Sequence, residues 1–359
     1  MQAFDRVHGV SFFGRGGPFR ACGKGTSGLI LRAGDFRELM RKPQFGAAAL
    51  AAFVAAGCGG APGRSASTPP GFRRLGPDRD EIPYTEPAAA AKRNVFHRLN
   101  ADREAHGLPR LRYDLLAAKV GDGFCADAAR GRFVGHWDLA GRAPYLRWAL
   151  AGGVDYHGEN AASVTRTGWV VREEEIATLL LESHERMMSE KPPEDGHRRA
   201  ILDPKWTHVG IGVAWEGGEF RMTEELVRRV AEWVEIPFGP ETAGSSATIR
   251  VQLPADWAAG SIEVAWDPEP IPLTREEINR RGAYGLPPPV RRLLPILRGG
   301  LRYANGGVGD FAASGGRIEA RIPLDHGPGS YYAILFAEPG PFSPGKTYVP
   351  VLVARILAR

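Results

Sequence analysis

Three short segments between residues 135 and 198 carry the residue types that are best suited to chemistry. His136 lies in Gly-His-Trp-Asp, Glu159 in Gly-Glu-Asn and His197 in Asp-Gly-His-Arg, each in a turn-like setting with a neighbouring glycine. Histidine and glutamate bind divalent metals and transfer protons near neutral pH. A lone histidine is more often structural, but three such segments in this order predict a shared functional site.

These segments belong to a longer pattern of motifs. Leu-Asn-x-x-Arg and Gly-Leu-Pro-x-Leu-x-Tyr-Asp precede them, Pro-Tyr-x-Arg follows the first histidine, and Ile-Leu and Val-Gly-Ile-Gly-Val follow the second. The motifs occupy residues 99–103, 107–114, 135–138, 144–147, 158–160, 192–202 and 206–213. Over residues 91–238 the chain therefore resembles the bacterial form of the CAP superfamily, whose domains are also called SCP-like.

The resemblance implies a fold and a site. Members of this superfamily form a three-layer α-β-α sandwich, and their central cleft holds two histidines and two acidic residues. His136, Glu159 and His197 match three of these four positions. The resemblance thus implies that these three side chains meet in a cleft.

The fourth position of the tetrad falls on a predicted helix over residues 173–189. Glu182, Glu185 and Ser189 recur at helical spacing on one face of that helix. We take Glu182 as the second acid, with Glu185 as the alternative. A solvated carboxylate on an amphipathic helix would give the same pattern, so that interpretation stays open.

Two functions fit such a cleft. In the first, the chain is a binding module for a lipid, glycan or peptide. His136 and His197 can then hold Zn²⁺ or another divalent metal, or the histidines and the glutamate can serve a purely structural role. In the alternative, the chain is a metal-dependent, protease-like hydrolase of cell-envelope or extracellular material, with Glu159 orienting water or a histidine. Gly-x-Ser-x-Gly is absent from the sequence, which disfavours serine hydrolase chemistry. We favour the binding module.

The net charge of +5 gives no support to a nucleic-acid partner. Residues 1–57 hold eight Lys and Arg and three acidic residues, so the entire excess falls there and the remainder is formally neutral. An electrostatic footprint for nucleic acid would require basic residues clustered in the folded part. The sequence predicts no nucleic-acid binding and leaves the oligomeric state open.

The N-terminal region has the pattern of an export signal. Basic residues follow Met40, an apolar run over 45–56 is too short to cross a bilayer, and Ala-Ala-Gly-Cys ends at Cys58. This pattern predicts a signal peptide over 40–57 with a lipobox, and a cell-envelope lipoprotein anchored to the membrane through Cys58. A secreted protein is the alternative, because alanine stands where such motifs usually have leucine. Residues 1–39 then form a doubtful extension ahead of a true start at Met40.

Cysteine usage agrees with a fold that lacks disulfide bonds. Cys22 lies in the doubtful extension and Cys58 at the predicted lipid site, which leaves Cys125 in the folded part. Cys125 follows Phe124 on a predicted helix, so we expect a small, buried, apolar side chain. Residues 58–90 are rich in Gly, Ala, Pro and Ser and predict a linker.

The hydrophobic pattern predicts an α+β chain of two domains. Helices are expected at 91–106, 115–130 and 173–189, and strands at 209–215, 219–225 and 231–236, with a Gly-Gly hairpin turn at 217–218. Gly210 and Gly212 remove side chains from one strand face and allow a helix or ligand to approach. Residues 239–359 alternate apolar and polar side chains at 248–253, 261–266 and 317–322, with further strands at 330–338 and 348–357. They predict a smaller β-sandwich after the CAP-like domain over 91–238.

Overall fold

The computed structural model describes residues 82–83, 85–86, 88–237, 239–343 and 345–359, and the main chain of two short strands at 6–10 and 72–73. Apart from those two strands, the predicted extension, the signal segment, Cys58 and the linker as far as residue 81 lie outside the described residues.

The α-helices of the described residues lie mostly in the first half of the chain. They are α1 (Ala89–Ala105), α2 (Leu115–Gly131), α3 (Pro144–Ala151), α4 (Ile176–Ser189), α5 (Gly196–Ile201) and α6 (Arg275–Arg280). The predicted helices correspond to α1, α2 and α4, the last preceded by a 3₁₀ turn over Glu173–Glu175. The other three are eight residues or shorter, which is too short for a helical period to show in the sequence.

The strands form three sheets, and together with the helices they agree with the predicted α+β class. In chain order they are β1 (Arg6–Val10), β2 (Phe72–Arg73), β3 (Arg112–Tyr113), β4 (Tyr156–Thr165), β5 (His208–Glu216), β6 (Glu219–Arg228), β7 (Trp233–Glu235), β8 (Ser246–Gln252), β9 (Trp257–Asp267), β10 (Pro289–Leu293), β11 (Ala312–Ser314), β12 (Arg317–Pro323), β13 (Gly329–Pro339) and β14 (Val349–Ala358). The sheet orders are β1-β4-β6-β5-β3, β10-β9-β13-β14 and β11-β12-β8-β7-β2.

The first sheet has helices on both faces. β4, β6 and β5 pair antiparallel, and Gly217, with φ of 58°, makes the predicted turn that places Glu216 opposite Glu219. One face packs on α2, and the other packs on α1, α4 and α5. The buried side chains of this second face include Val95, Phe96, Leu99, Leu179, Leu180, Ile201, Val209, Ile211, Val213, Phe220, Met222 and Leu226.

The two glycines of β5 allow α2 to lie directly on the sheet. A Cβ at Gly210 would come within 2.1 Å of the Ala118 nitrogen, and one at Gly212 within 2.4 Å of the Gly121 carbonyl carbon. Both distances are far inside van der Waals contact, so no larger residue fits without moving the helix. The predicted close approach of a helix at Gly210 and Gly212 is confirmed.

The remaining two sheets pack face to face and share one apolar core. Buried residues alternate with partly buried ones along β8 and with mostly exposed ones along β12, as the sequence predicted for strands with one face on a core. The core combines residues from both sheets, among them Ile249, Val251, Ile262, Val264, Ile318, Ile322, Tyr331 and Leu335.

The predicted strand over 231–236 belongs to this second group of sheets. It is β7, and it pairs antiparallel with β8, Val234 lying opposite Val251. The first sheet therefore ends with β6, before the boundary at 238 that the sequence suggested. Because β7 follows β6 closely in sequence, its pairing in a different sheet could not be predicted from the sequence.

The two groups of sheets touch along the start of β4. Val353 donates its main-chain N–H to the Val154 carbonyl at 2.8 Å, and Arg228 donates to the Pro350 carbonyl at 2.7 Å. The Tyr145 hydroxyl donates to Asp267 at 2.7 Å. No helix among the described residues is both long and apolar enough to cross a membrane.

Candidate functional site

His136 and Glu159 meet beneath the surface. His136 lies in the bend between α2 and α3, and Glu159 lies in the middle of β4, where both side chains are fully buried. His136 Nδ1 donates to Glu159 Oε1 at 2.8 Å, and Arg147 donates to the other carboxylate oxygen. Burial alone would raise the pKa of Glu159, but Arg147 and His136 outweigh it and lower the pKa.

The hydrogen bond to Glu159 fixes the orientation of the His136 ring. An ionised carboxylate only accepts hydrogen bonds, so Nδ1 carries the hydrogen that points at Glu159. His136 Nε2 is buried and has no partner among the described residues. In the neutral ring that nitrogen presents a bare lone pair, which can bind a metal, accept a proton or accept a hydrogen bond from a ligand.

Glu225 lies next to Glu159 on the neighbouring strand, on the same face of the sheet. The two residues are opposite each other in the register of β4 and β6, and both are fully buried. Burial and then the negative charge of Glu159 raise the pKa of Glu225 well above its ordinary value. Of the two carboxyl groups, Glu225 therefore holds a proton more readily than Glu159.

His157 extends this network along the same face of β4. A hydrogen bond of 2.7 Å joins His157 Nε2 and Glu225 Oε2, and the ring stacks on Trp148 with 5.0 Å between centroids. Burial lowers the pKa of His157 to about 4, so the ring is neutral at pH 7. The polar network of His136, Arg147, His157, Glu159 and Glu225 is named the Glu159 cluster below.

The opposite face of the sheet carries a second buried network. His184 of α4 donates from Nδ1 to Glu224 at 2.6 Å and from Nε2 to Asp102 at 3.0 Å. Burial alone would lower the pKa of His184, but Glu224 and Asp102 outweigh it and raise the pKa above the ordinary value. Both ring nitrogens are used, so His184 is a structural cation with no free donor or acceptor.

His197 lies beside this second network rather than in the Glu159 cluster. His197 Nδ1 donates to Glu190 at 2.5 Å, and the His197 main-chain carbonyl accepts a hydrogen bond from Asn160 at 3.3 Å. Asn160 also donates to Glu224 at 3.1 Å. Like His136, His197 is buried, and its Nε2 has no partner in the described part of the chain.

The structure does not bring the predicted tetrad into one hydrogen-bonded cluster. Glu159 and Asn160 are neighbours in β4, so their side chains point to opposite faces of the sheet. The His136 ring bonds to Glu159, whereas it is the main-chain carbonyl of His197 that bonds to Asn160. Within the described residues no hydrogen bond or ion pair joins His197 to His136 or Glu159. The turn-like setting predicted for all three residues is wrong for Glu159, which is in a strand, and for His197, which is in α5.

Neither glutamate proposed as the fourth residue of the tetrad lies in the interior. Glu182 is exposed, and Glu185 is exposed and paired with Arg98 at 2.8 Å. Ser189, on the same face of α4, is exposed and donates to the Arg186 carbonyl. The inward face of α4 carries His184 instead. The helix was predicted correctly, but Glu182 and Glu185 lie on its solvent-exposed face, as in the alternative interpretation of the sequence.

A segment from the second half of the chain covers His136. Tyr284 lies between β9 and β10, and its hydroxyl accepts a hydrogen bond from the Glu159 main-chain N–H at 2.6 Å. The Tyr284 ring lies 4.8 Å from the His136 ring, centroid to centroid. No local pattern in the sequence indicates this contact, because it joins residues that are far apart in the chain.

The donor set suits a metal only in part. His136 and His197 each present Nε2 and are each oriented through Nδ1 by a carboxylate, the arrangement common in metal-binding histidines. Catalytic zinc sites, however, have three protein ligands. The described residues hold no group of three or more His, Cys, Asp or Glu that is placed to bind one ion.

Cys125 and the remaining buried polar groups have structural surroundings. Cys125 is fully buried on α2, with Thr223 Oγ1 3.9 Å from its sulfur, and burial raises the pKa of its thiol well above the ordinary value. The expectation of a buried side chain is confirmed. Lys92 is likewise buried, and it donates to Glu86 and Asp122 at 3.1 and 2.7 Å.

Comparisons with known proteins show a partial similarity to a solved structure. No protein-family model matches the chain, and no curated protein matches it. Among solved structures the chain is similar to an extracellular protein containing an SCP domain from Bacillus anthracis strain Ames. The two share 21% identity, and the match covers 39% of this chain and 41% of that chain with a TM-score of 0.31. The similarity spans less than half of either chain and carries no argument about function.

Proposed function

We propose that the chain is an exported CAP-like protein that captures a ligand or a divalent metal through the Nε2 atoms of His136 and His197. The observation that carries the proposal is that each of these buried rings is held by a carboxylate at Nδ1, while Nε2 has no partner among the described residues. A buried polar atom without a partner costs stability. Such an atom is retained where a ligand supplies the missing interaction.

His184 supplies the internal contrast that favours binding. It is equally buried, but both of its nitrogens donate to carboxylates and its charge is compensated. The fold is therefore able to satisfy a buried histidine completely. The incomplete satisfaction of His136 and His197 supports a role beyond packing.

The ligand classes that fit are those able to approach an imidazole lone pair. These include Zn²⁺ or another divalent cation, and the hydroxyl or amide N–H of a lipid, glycan or peptide. A metal would be held by His136 and His197, each oriented by its carboxylate, and would supply Lewis acidity or a bridge to ligand oxygens. Binding rather than turnover is favoured because the described residues place no third ligand beside either histidine.

Zinc titration of the full chain tests the proposal. The His136→Ala/His197→Ala protein is compared with the wild type and with His97→Ala/His106→Ala, in which two exposed histidines are removed. We expect zinc affinity to fall at least about tenfold in the first variant only, because the exposed pair contributes no buried site. Equal zinc binding by all three proteins, each with a cooperative thermal transition, would contradict the metal form of the proposal.

Carboxylate variants make the same test without removing a ligand atom. Glu159→Gln and Glu190→Gln keep the size of the side chains that orient His136 and His197 but remove their charge. We expect each to lower zinc affinity by about 10–100-fold, as partners of metal-binding histidines usually do. The matched control is Glu182→Gln, an exposed change that leaves both rings untouched.

The hydrolase alternative is favoured by one observation, the Glu159–Glu225 pair. A carboxyl group with a raised pKa beside an ionised one can donate a proton at neutral pH. Incubation of the full chain and of Glu225→Gln with a mixed peptide library, followed by mass spectrometry, tests this role. Cleavage that is lost in Glu225→Gln supports hydrolysis, and no cleavage by the wild type contradicts it.

Export and lipid attachment are proposed from the sequence of residues 40–58 alone. Expression of the full chain with and without Cys58→Ala, followed by membrane fractionation and mass measurement of the mature N-terminus, tests both. We expect a lipid-modified Cys58 at the N-terminus and release from the membrane in Cys58→Ala. An unmodified, soluble product from the wild type would favour the secreted alternative.

A further inference from the structure

The connection between β9 and β10 leaves its own sheet and lies across the bend that contains His136. Two hydrogen bonds, at residues 273 and 279, hold it there. Leu273 donates its main-chain N–H to the Leu139 carbonyl at 3.0 Å, and Asn279 accepts from the Val134 N–H at 2.7 Å. Residues 271–286 are named the strap below.

Side-chain packing completes the attachment. Ile278 packs over Gly135, where an added Cβ would come within 3.3 Å of the isoleucine side chain. The Arg281 guanidinium lies 5.0 Å from the centre of the Trp137 ring. The residues on both sides of His136 are thus covered by the strap.

Tyr284 makes the contact with the Glu159 cluster itself. Its hydroxyl accepts from the Glu159 N–H at 2.6 Å, and its ring is tilted against His136 and lies edge-on to Trp137 at 6.3 Å. Tyr284 is 8% exposed and His136 is 0% exposed. A ligand approaching from this side would therefore meet Tyr284 before His136.

The strap itself is weakly anchored. Of residues 271–286, all of which the structure describes, only Ile278 and Tyr284 are buried. Its helix α6 has six residues, too few to be stable without tertiary contacts. Segments with few buried apolar contacts open at a lower free energy than the cores they cover.

We infer that the strap is a lid, in which Tyr284 gates access to His136 and must withdraw before a ligand reaches Nε2. The inference rests on the proposed function of His136 and assigns its regulation to residues of the second half of the chain. Ile278 and Tyr284 together hold the lid closed. The other strap residues add the hydrogen bonds of Leu273 and Asn279 and the contact of Arg281 with Trp137, and most of them are exposed.

Acylation of histidine by diethyl pyrocarbonate tests the lid without any metal or ligand. The reagent attacks an unprotonated imidazole nitrogen, so the rate at His136, measured by peptide mass spectrometry, reports the open population. In the full-length wild type we expect His136 to react far more slowly than the exposed His106. In Ile278→Ala/Tyr284→Ala we expect the His136 rate to rise roughly tenfold or more.

Two controls separate lid opening from general loosening. Ile271→Ala truncates an apolar side chain on the same segment that is 78% exposed, and we expect no change in the His136 rate. His184, buried on the inward face of α4, should stay protected in every variant. A wild-type His136 as reactive as His106, or a double variant with unchanged reactivity, would overturn the lid, and so would equal gains at His136 and His184.

Hydrogen exchange of the wild type keeps the test valid even if the double variant unfolds. The Ile278 and Arg281 amides, which donate within α6, should exchange through an opening that leaves β5 and β6 protected. Exchange of these amides only by global unfolding would contradict the lid. Zinc titration in parallel distinguishes the two proposals. If the strap opens but the protein does not bind zinc, only the proposed metal site is contradicted. If the protein binds zinc while the strap stays closed, only the proposed lid is contradicted.

Discussion

The two faces of the first sheet bury the same residue types with opposite outcomes. Glu224 and Glu225 are adjacent in β6, and Glu159 and Asn160 are adjacent in β4, so each pair divides between the faces. On the α4 face, the charge of Glu224 is balanced by His184 and the ring nitrogens are satisfied. On the α2 face, burial and the charge of Glu159 raise the pKa of Glu225, and His136 and His157 each keep one nitrogen without a partner among the described residues.

The difference shows that burial alone does not make a functional site. A buried histidine flanked by two carboxylates becomes a stable cation, because the donors and acceptors are equal in number. A buried histidine with one carboxylate keeps a bare nitrogen. The count of partners around each ring, rather than its depth, separates a structural histidine from one that can bind a ligand.

The largest predicted effect comes from breaking the fully hydrogen-bonded network of His184, Glu224 and Asp102. His184→Ala leaves Glu224 and Asp102 without their shared cation inside the protein. We expect the free energy of unfolding, measured by urea titration, to fall by about 3 kcal/mol or more. The exposed control His97→Ala should stay within about 0.5 kcal/mol of the wild type. A loss below about 1 kcal/mol for His184→Ala would remove the contrast between the faces.

The pH dependence of stability sharpens the contrast at His157. Its folded pKa of about 4 lies below the ordinary value of 6.5, so the unfolded chain binds the proton first. Its contribution is therefore complete above pH 6.5 and is lost as the pH falls towards 4, by about 3 kcal/mol in all. In His157→Gln we expect a flatter unfolding profile between pH 6.5 and 4, and an unchanged slope would contradict the assignment.

His184 acts in the opposite direction. Its folded pKa is raised, so its stabilising contribution is complete below pH 6.5 and is lost as the pH rises through the folded value. His184→Gln should therefore flatten the profile on the alkaline side of pH 6.5. The two variants are therefore expected to change the pH dependence of the free energy of unfolding on opposite sides of pH 6.5. General destabilisation would not produce this difference.

The close packing on the α2 face predicts a smaller effect. An alanine at Gly212 would bring a methyl group within 2.4 Å of the Gly121 carbonyl carbon, so Gly212→Ala should cost about 1–3 kcal/mol in unfolding experiments. Gly123→Ala is the matched control, since no atom lies within 4 Å of the added methyl group and alanine favours the helix. An equal loss in both variants would show that α2 does not depend on close approach.

The smallest expected effects are at the two glutamates that the sequence placed in the tetrad. Glu182→Ala and Glu185→Ala remove exposed side chains, and the Glu185 pair with Arg98 is a surface ion pair. We expect each to change the free energy of unfolding by less than about 1 kcal/mol and to leave zinc affinity unchanged. A loss of zinc binding in either variant would return that glutamate to the site.

The sequence predicted elements better than it predicted faces. The helical period located α1, α2 and α4, and the paired glycines of β5 predicted the close approach of α2. The sequence analysis assigned the site to Glu182 and Glu185, which lie on the polar face of α4. His184 lies on the apolar face with Leu179 and Leu180, and that spacing could have identified His184 as the buried polar residue. A tetrad inferred from motif order carries no information on which side of a strand each side chain points.

Contacts between distant parts of the chain could not be predicted at all. Glu225 acquires its role from its register opposite Glu159, and Tyr284 acquires its role from a segment that crosses between sheets. Both depend on long-range geometry that no local pattern encodes. The strand β7, which follows β6 closely in sequence but pairs with β8, illustrates the same point.

The protonation pattern of the histidine rings tests the central claim most directly. Long-range ¹H–¹⁵N correlation spectra of the full chain at neutral pH, with each histidine assigned by substitution, report the state of every ring nitrogen. We predict a hydrogen on Nδ1 and a bare Nε2 for His136 and His197, and hydrogens on both nitrogens of His184. A hydrogen on Nε2 of His136 or His197, or a neutral His184, would contradict the division between binding and structural histidines.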